Sequence, residues 1–147
     1  MSLQELSARI QDAWPSQVIS GTTWGYPIVG AVHVLAMIMF GGVVLYTNLS
    51  ALGLVFRGQD VRQAARDVRL FGTASLTVVA LTGAFLFASG AVRYLDSTGF
   101  RVKMALLVLI LLNAIAASRS RYRKLHAGIA LALWAGSIFT ARSIAFF

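Results

Sequence analysis

The chain has 147 residues, 58% of them apolar and only 12% charged, with a mean hydropathy of +0.75 and a formal net charge of +8. A soluble domain carries about 25% charged residues, so this chain has too little polar material to cover a water-facing surface and reads as a one-domain integral membrane protein. It has no cysteine, which excludes disulfides, thiolate nucleophiles and iron–sulfur ligation. The positive balance fits basic loops beside anionic lipid and not a nucleic-acid surface.

Ser2 and Glu5 fit a capping box, and Leu3, Leu6, Ile10 and Trp14 recur at helical spacing with Gln4, Glu5, Arg9 and Asp12 elsewhere around the wheel. Residues 1–23 therefore read as a short amphipathic helix lying in the membrane interface, ended by Trp14-Pro15, and a polar connector. The segment lacks the basic start and apolar centre of a signal peptide, so the N-terminus is expected to be retained. Trp24, Tyr26 and Pro27 form an aromatic anchor at the mouth of the first span.

Residues 27–56 hold no Asp, Glu, Lys or Arg, and their only ionisable side chain that titrates near neutrality is His33. Roughly 20 apolar helical residues cross a bilayer, so a first span is expected over 27–54. Residues 57–69, with Arg57, Arg62, Arg66 and Arg69, read as a helical extension of a second span over 70–92. A turn follows, then a third span over 100–118 containing Arg101, Lys103 and Asn113. A short basic loop (Arg119, Arg121, Arg123, Lys124) leads to a fourth span over 126–146. The expected fold is all-α, a four-helix up-down bundle with residues 24–147 as its membrane domain.

Lys and Arg set the orientation. Arg57, Arg62, Arg66, Arg69, Arg119, Arg121, Arg123 and Lys124 fall on one side, against Arg9, Arg93, Arg101, Lys103 and Arg142 on the other. That places both termini outside the cytoplasm, in a multi-pass protein of the inner membrane. Gly128, Ala132, Gly136 and Thr140 stand four apart and make a small-residue stripe. Such a stripe lets a neighbouring helix approach closely, within the bundle or from another subunit or second copy.

At ~1.5 Å per residue, His33 lies about 9 Å below Pro27, and Arg142 about 24 Å along the fourth span from His126. Both fall in the outer third of the membrane. Arg93, Tyr94, Arg101 and Lys103 reach the same end, where Asp96 is the one acid of the connecting loop. Cations in excess over carboxylates suit an anionic or oxygen-bearing ligand: haem propionates, a lipid phosphate or a quinone oxygen. The alternative is that the cations snorkel to headgroups.

His33 has three readings. It is a structural histidine bonded across the bundle, a haem ligand or quinone hydrogen-bonding group, or a copper ligand with Met37 one turn away and Met104 on the third span. His126, which opens the fourth span at the opposite face, is excluded as the second axial ligand of a haem at His33. Asn113 reads as interhelical glue. The five carboxylates (Glu5, Asp12, Asp60, Asp67, Asp96) all lie outside the spans, so no acid pair or membrane proton relay is available. There is no phosphate loop, serine triad or zinc spacing.

AVHVLAMIMFGG around His33, GFRVKMALLVLILLNA from Gly99 to Ala114 and WAGSIFTARSIAFF from Trp134 to Phe147 resemble an uncharacterised family of small four-helix bacterial membrane proteins. More distantly, the chain is similar to the copper-resistance D membrane proteins. The resemblance runs from Trp24 to the C-terminus and implies that His33, Phe100, Lys103 and Arg142 are marked positions, without implying an activity. Family members often carry Glu where this chain has Gly30, and Asp-Leu-Arg where it has Asn48-Leu49-Ser50. The functional expectation is a non-catalytic accessory or anchor subunit whose polar site, made of His33, Arg93, Tyr94, Arg101, Lys103 and Arg142, holds haem b or quinone for a redox partner in electron transport. The alternatives are copper or small-solute handling through His33, Met37 and Met104, and a purely structural subunit.

Overall fold

The computed structural model describes residues 5, 9, 21–55, 58 and 61–143, with Val61, Arg142 and Ser143 as backbone only. The amphipathic helix and capping box expected over residues 1–23 lie almost wholly outside the described residues. Among those described, the chain is all-helical. The elements are α1 (Gly25–Leu52), α2 (Val61–Asp67), α3 (Arg69–Ser89), α4 (Ala91–Asp96), α5 (Thr98–Arg119) and α6 (Arg123–Ser143). Four of them (α1, α3, α5 and α6) are long and apolar enough to cross a membrane, as a multi-pass membrane protein requires.

The ends of these helices follow from local chemistry. α1 stops at Leu52, two residues before the expected boundary, because Gly53 adopts a left-handed φ of 74°. The Gly53 N–H then donates to the Ser50 carbonyl and the Leu54 N–H to the Leu49 carbonyl, a Schellman closure. The expected continuous extension into the second span is broken at Val68, so α2 and α3 are separate helices. The second span ends at Ser89, not at 92, because Gly90 leaves helical geometry (φ −145°, ψ 32°). The following residues form the short α4 where only a turn is expected. Ser97 caps α5, its hydroxyl accepting from the Phe100 N–H at 3.4 Å, which starts that helix at Thr98.

α1 packs against α3 and α6, and α5 packs against α6. The contacts are made by small residues. Val43 of α1 sits where a Cβ on Gly72 of α3 would come within 3.2 Å of it, and Trp134 of α6 lies on Gly41 of α1 at 3.1 Å by the same measure. Phe40 meets the Trp134 ring edge-on, with centroids 5.4 Å apart. The buried side chains are correspondingly few and small: Ala36, Ala64, Ala91, Ala127, Ser50, Ser75 and Ser137, with Trp134 the single large one among the described residues. Large apolar side chains instead face outward, Leu70 and Phe139 each 77% exposed and Ile38 66%. Lipid tails can cover such surface, whereas water would penalise it.

One pair of neighbours is missing. No Cα of α3 comes within 8 Å of a Cα of α5 among the described residues. The helices therefore leave a seam between α3 and α5.

Candidate functional site

His33 lies eight residues into α1, about 12 Å along it at ~1.5 Å per residue. The inner face of α1 carries Ala36, Val43 and Ser50 at seven-residue spacing, and His33 with Phe40 on the same repeat, so the imidazole is turned toward α3. There His33 Nδ1 and Thr82 Oγ1 are 2.8 Å apart. Thr82 has a single hydroxyl proton, which it donates to the Val78 carbonyl at 2.6 Å. With that proton on Val78, the hydroxyl accepts from His33 Nδ1–H. Gly83 provides the seat: a Cβ at that position would come within 3.2 Å of His33 Cε1. The Val79 carbonyl on the same face of α3 also accepts from the imidazole.

Lys103 supplies the second polar group. On α5 it shares a helical face with Leu106, which packs on Gly136 of α6, and with Asn113, which bonds to α6. This face points inward, toward α6. Lys103 is half-buried and has no hydrogen-bond or ion-pair partner among the described residues. Aromatic rings close the seam beside it: Phe87 of α3 stacks on Phe100 of α5 at 5.4 Å and 13°, and Tyr94 leans on Phe100 at 5.5 Å. The arrangement offers an imidazole, a cation and an aromatic wall.

A second polar locus lies at the ends of the helices. The Tyr26 and Tyr94 hydroxyls are 2.7 Å apart, tying the start of α1 to α4. An open pocket of about 360 Å³ is lined there by Tyr26, Ser89, Gly90, Val92, Arg93 and Tyr94. Partial burial and the bond to Tyr26 push the Tyr94 phenol up to about 12, so it stays neutral and able to donate.

The residues expected to converge are thus divided between these places. His33 bonds to Thr82 of α3 and Lys103 lies half-buried on α5; Arg93 and Tyr94 line the outer pocket. Arg101 belongs to neither, because its Nε donates to the Leu95 carbonyl at 2.9 Å and the side chain is exposed. Arg142 lies in α6 at backbone level only. Thr82, Gly83 and Phe87 were not among the sequence candidates. Their signal is the spacing of Gly72, Ser75 and Thr82-Gly83, which puts small and hydroxyl residues along one face of α3.

Metal chemistry finds few donors. No cluster of three His, Asp, Glu or Cys residues exists among the described residues. Met37 is half-buried on the same helix as His33, while Met104 is 45% exposed. One turn from His33, Met37 cannot reach the opposite face of a haem iron held by that residue. His126 is committed elsewhere: its Nδ1 meets Asn113 Oδ1 at 2.8 Å, and Asn113 Nδ2 donates to the His126 carbonyl at 3.0 Å. Asn113 is therefore an α5–α6 clamp. Comparison with protein-family models, curated proteins and solved structures gives no match.

Proposed function

We propose that this protein is a non-catalytic accessory or anchor subunit that holds the head group of a membrane quinone between His33 and Lys103 for a redox partner. The observation that carries this reading is a half-buried imidazole and a half-buried ammonium, the latter without a hydrogen-bond partner among the described residues, in an otherwise apolar bundle. Lys103 donates to a quinone oxygen, and His33 Nε2 accepts from a quinol hydroxyl. Phe87 and Phe100, stacked on each other between α3 and α5, give the site an aromatic wall. Haem b and copper are less well served: Met37 stands on the same helix as His33, Met104 is 45% exposed and His126 is bonded to Asn113.

The topology that accompanies this reading is an up-down bundle in the bacterial inner membrane with both termini outside the cytoplasm. It is supported by the His33–Thr82 and Asn113–His126 bonds, each of which joins the early part of one helix to the late part of its neighbour. The excess of basic residues in the first and third loops supports the orientation. Gly128 and Ala132 are exposed, and nothing lies within 4 Å of a Cβ on Gly128. Their outward face favours a role for that half of the Gly128, Ala132, Gly136, Thr140 stripe in contact with another subunit, whereas Gly136 meets Leu106. The quinone reading is tested by extraction of protein purified in mild detergent. Wild type is expected to carry close to stoichiometric quinone and Lys103→Met to lose most of it. Equal quinone in both, or none in wild type, overturns the proposal.

A further inference from the structure

We propose that the outer pocket between Tyr26, Arg93 and Tyr94 binds the phosphate of an anionic glycerophospholipid from the surrounding bilayer. The inference rests on residues other than the His33–Lys103 pair and stands or falls separately from the quinone reading. Its position is that of a headgroup site. Tyr26 is the second residue of α1, Ser89 the last of α3, and Arg93 and Tyr94 belong to the short helix beyond. Phosphates lie at that level when the spans are embedded, and aromatic residues concentrate there.

Counting donors identifies what the pocket can take. Ser89 spends its proton on the Phe85 carbonyl at 2.8 Å, and the Gly90 N–H is committed to the Phe87 carbonyl at 3.1 Å. The two phenols share one proton across their 2.7 Å contact, which leaves one O–H to donate outward. Arg93 has neither a hydrogen bond nor an ion pair among the described residues, and its charge acts on Tyr94. The pocket thus offers a guanidinium fork and one neutral O–H, the donor set of a phosphate diester, which accepts through its two free oxygens. Asp96, one turn from Arg93, is exposed and does not pair with it. Val92, 41% exposed on the pocket wall, gives the glycerol carbons an apolar contact. A volume of about 360 Å³, open on one side, admits a headgroup and lets the acyl chains leave into lipid.

Native mass spectrometry of protein released from nanodiscs of mixed phosphatidylglycerol and diacylglycerol tests this. Wild type is expected to retain one phosphatidylglycerol and no diacylglycerol. Arg93→Gln is expected to cut retention at least about tenfold, the loss expected for a charge-assisted bond, while Arg119→Gln leaves it unchanged. Tyr26→Phe or Tyr94→Phe alone keeps one free O–H and retains lipid near the wild-type level. The double variant loses about fivefold. Retention in Arg93→Gln equal to wild type overturns the proposal, as does displacement of the lipid by millimolar inorganic phosphate, which would assign the pocket to a soluble anion. Should Arg93→Gln fail to fold, the contrast between the single and double tyrosine variants decides by the same criterion.

Discussion

Replacing Gly83 with alanine tests the seat of His33 most sharply. The added methyl would stand 3.2 Å from His33 Cε1, so the ring must move by a few tenths of an ångström. The His33 Nδ1–Thr82 bond, now 2.8 Å, is stretched by that movement. Overpacking costs about 1–3 kcal/mol, and an interhelical bond in a membrane contributes about 0.6 kcal/mol. Against this, alanine gains about 0.9 kcal/mol over glycine in a helix. Gly42→Ala provides the matched control, since nothing lies within 4 Å of a Cβ there and only the helical gain applies. The two variants should therefore separate by about 1–4 kcal/mol, Gly42→Ala above wild type and Gly83→Ala below it. Reversible unfolding in mixed detergent micelles, titrated with a denaturing detergent, measures the difference. If both variants shift stability upward by the same amount, the ring does not rest on Gly83.

Three further outcomes follow from the same geometry. Ser137 is fully buried and its Oγ has no hydrogen-bond partner among the described residues, so Ser137→Ala should raise stability by about 1 kcal/mol in the same unfolding titration. Asn113→Leu removes both bonds to His126 and should cost about 1–3 kcal/mol, with amide exchange accelerated at the start of α6. The Tyr94 phenol, held near 12 in the folded protein against about 10 when unfolded, keeps its proton longer in the native state. Its stabilising contribution is therefore complete below pH 10 and is lost as pH rises through 12. Phenolate absorbance should show Tyr94 titrating lower in Tyr26→Phe than in wild type, partial burial still holding it above the free phenol once the bond is gone.

The spans were legible because charge is so unevenly distributed: residues 27–56 carry no Asp, Glu, Lys or Arg, and no fold stage is needed to see a helix that must satisfy its own backbone. Their ends were less legible. Gly53 stops α1 through a left-handed conformation that hydropathy does not register, and Gly90 and Val68 break helices within stretches that are compatible with continuation. The site was half visible. His33 stood out as a lone imidazole among apolar residues, but its partner Thr82 is an ordinary hydroxyl of the kind that also bonds its own helix, as Thr77 does to Thr73. Lys103 and Arg101 looked equivalent in sequence. Two residues apart on a helix, they face different ways, so one shares the inward face of Leu106 and Asn113 and the other reaches back to the Leu95 carbonyl.

The location of the quinone head is what the functional reading depends on, and photolabelling in native membranes with an azidoquinone locates it directly. Peptide mapping should find the label concentrated on the α3 and α5 segments around Thr82 and Lys103, and lost in Lys103→Met. Labelling spread over outward-facing residues such as Leu70 and Phe139, in proportion to their exposure and unchanged in the variant, would contradict it.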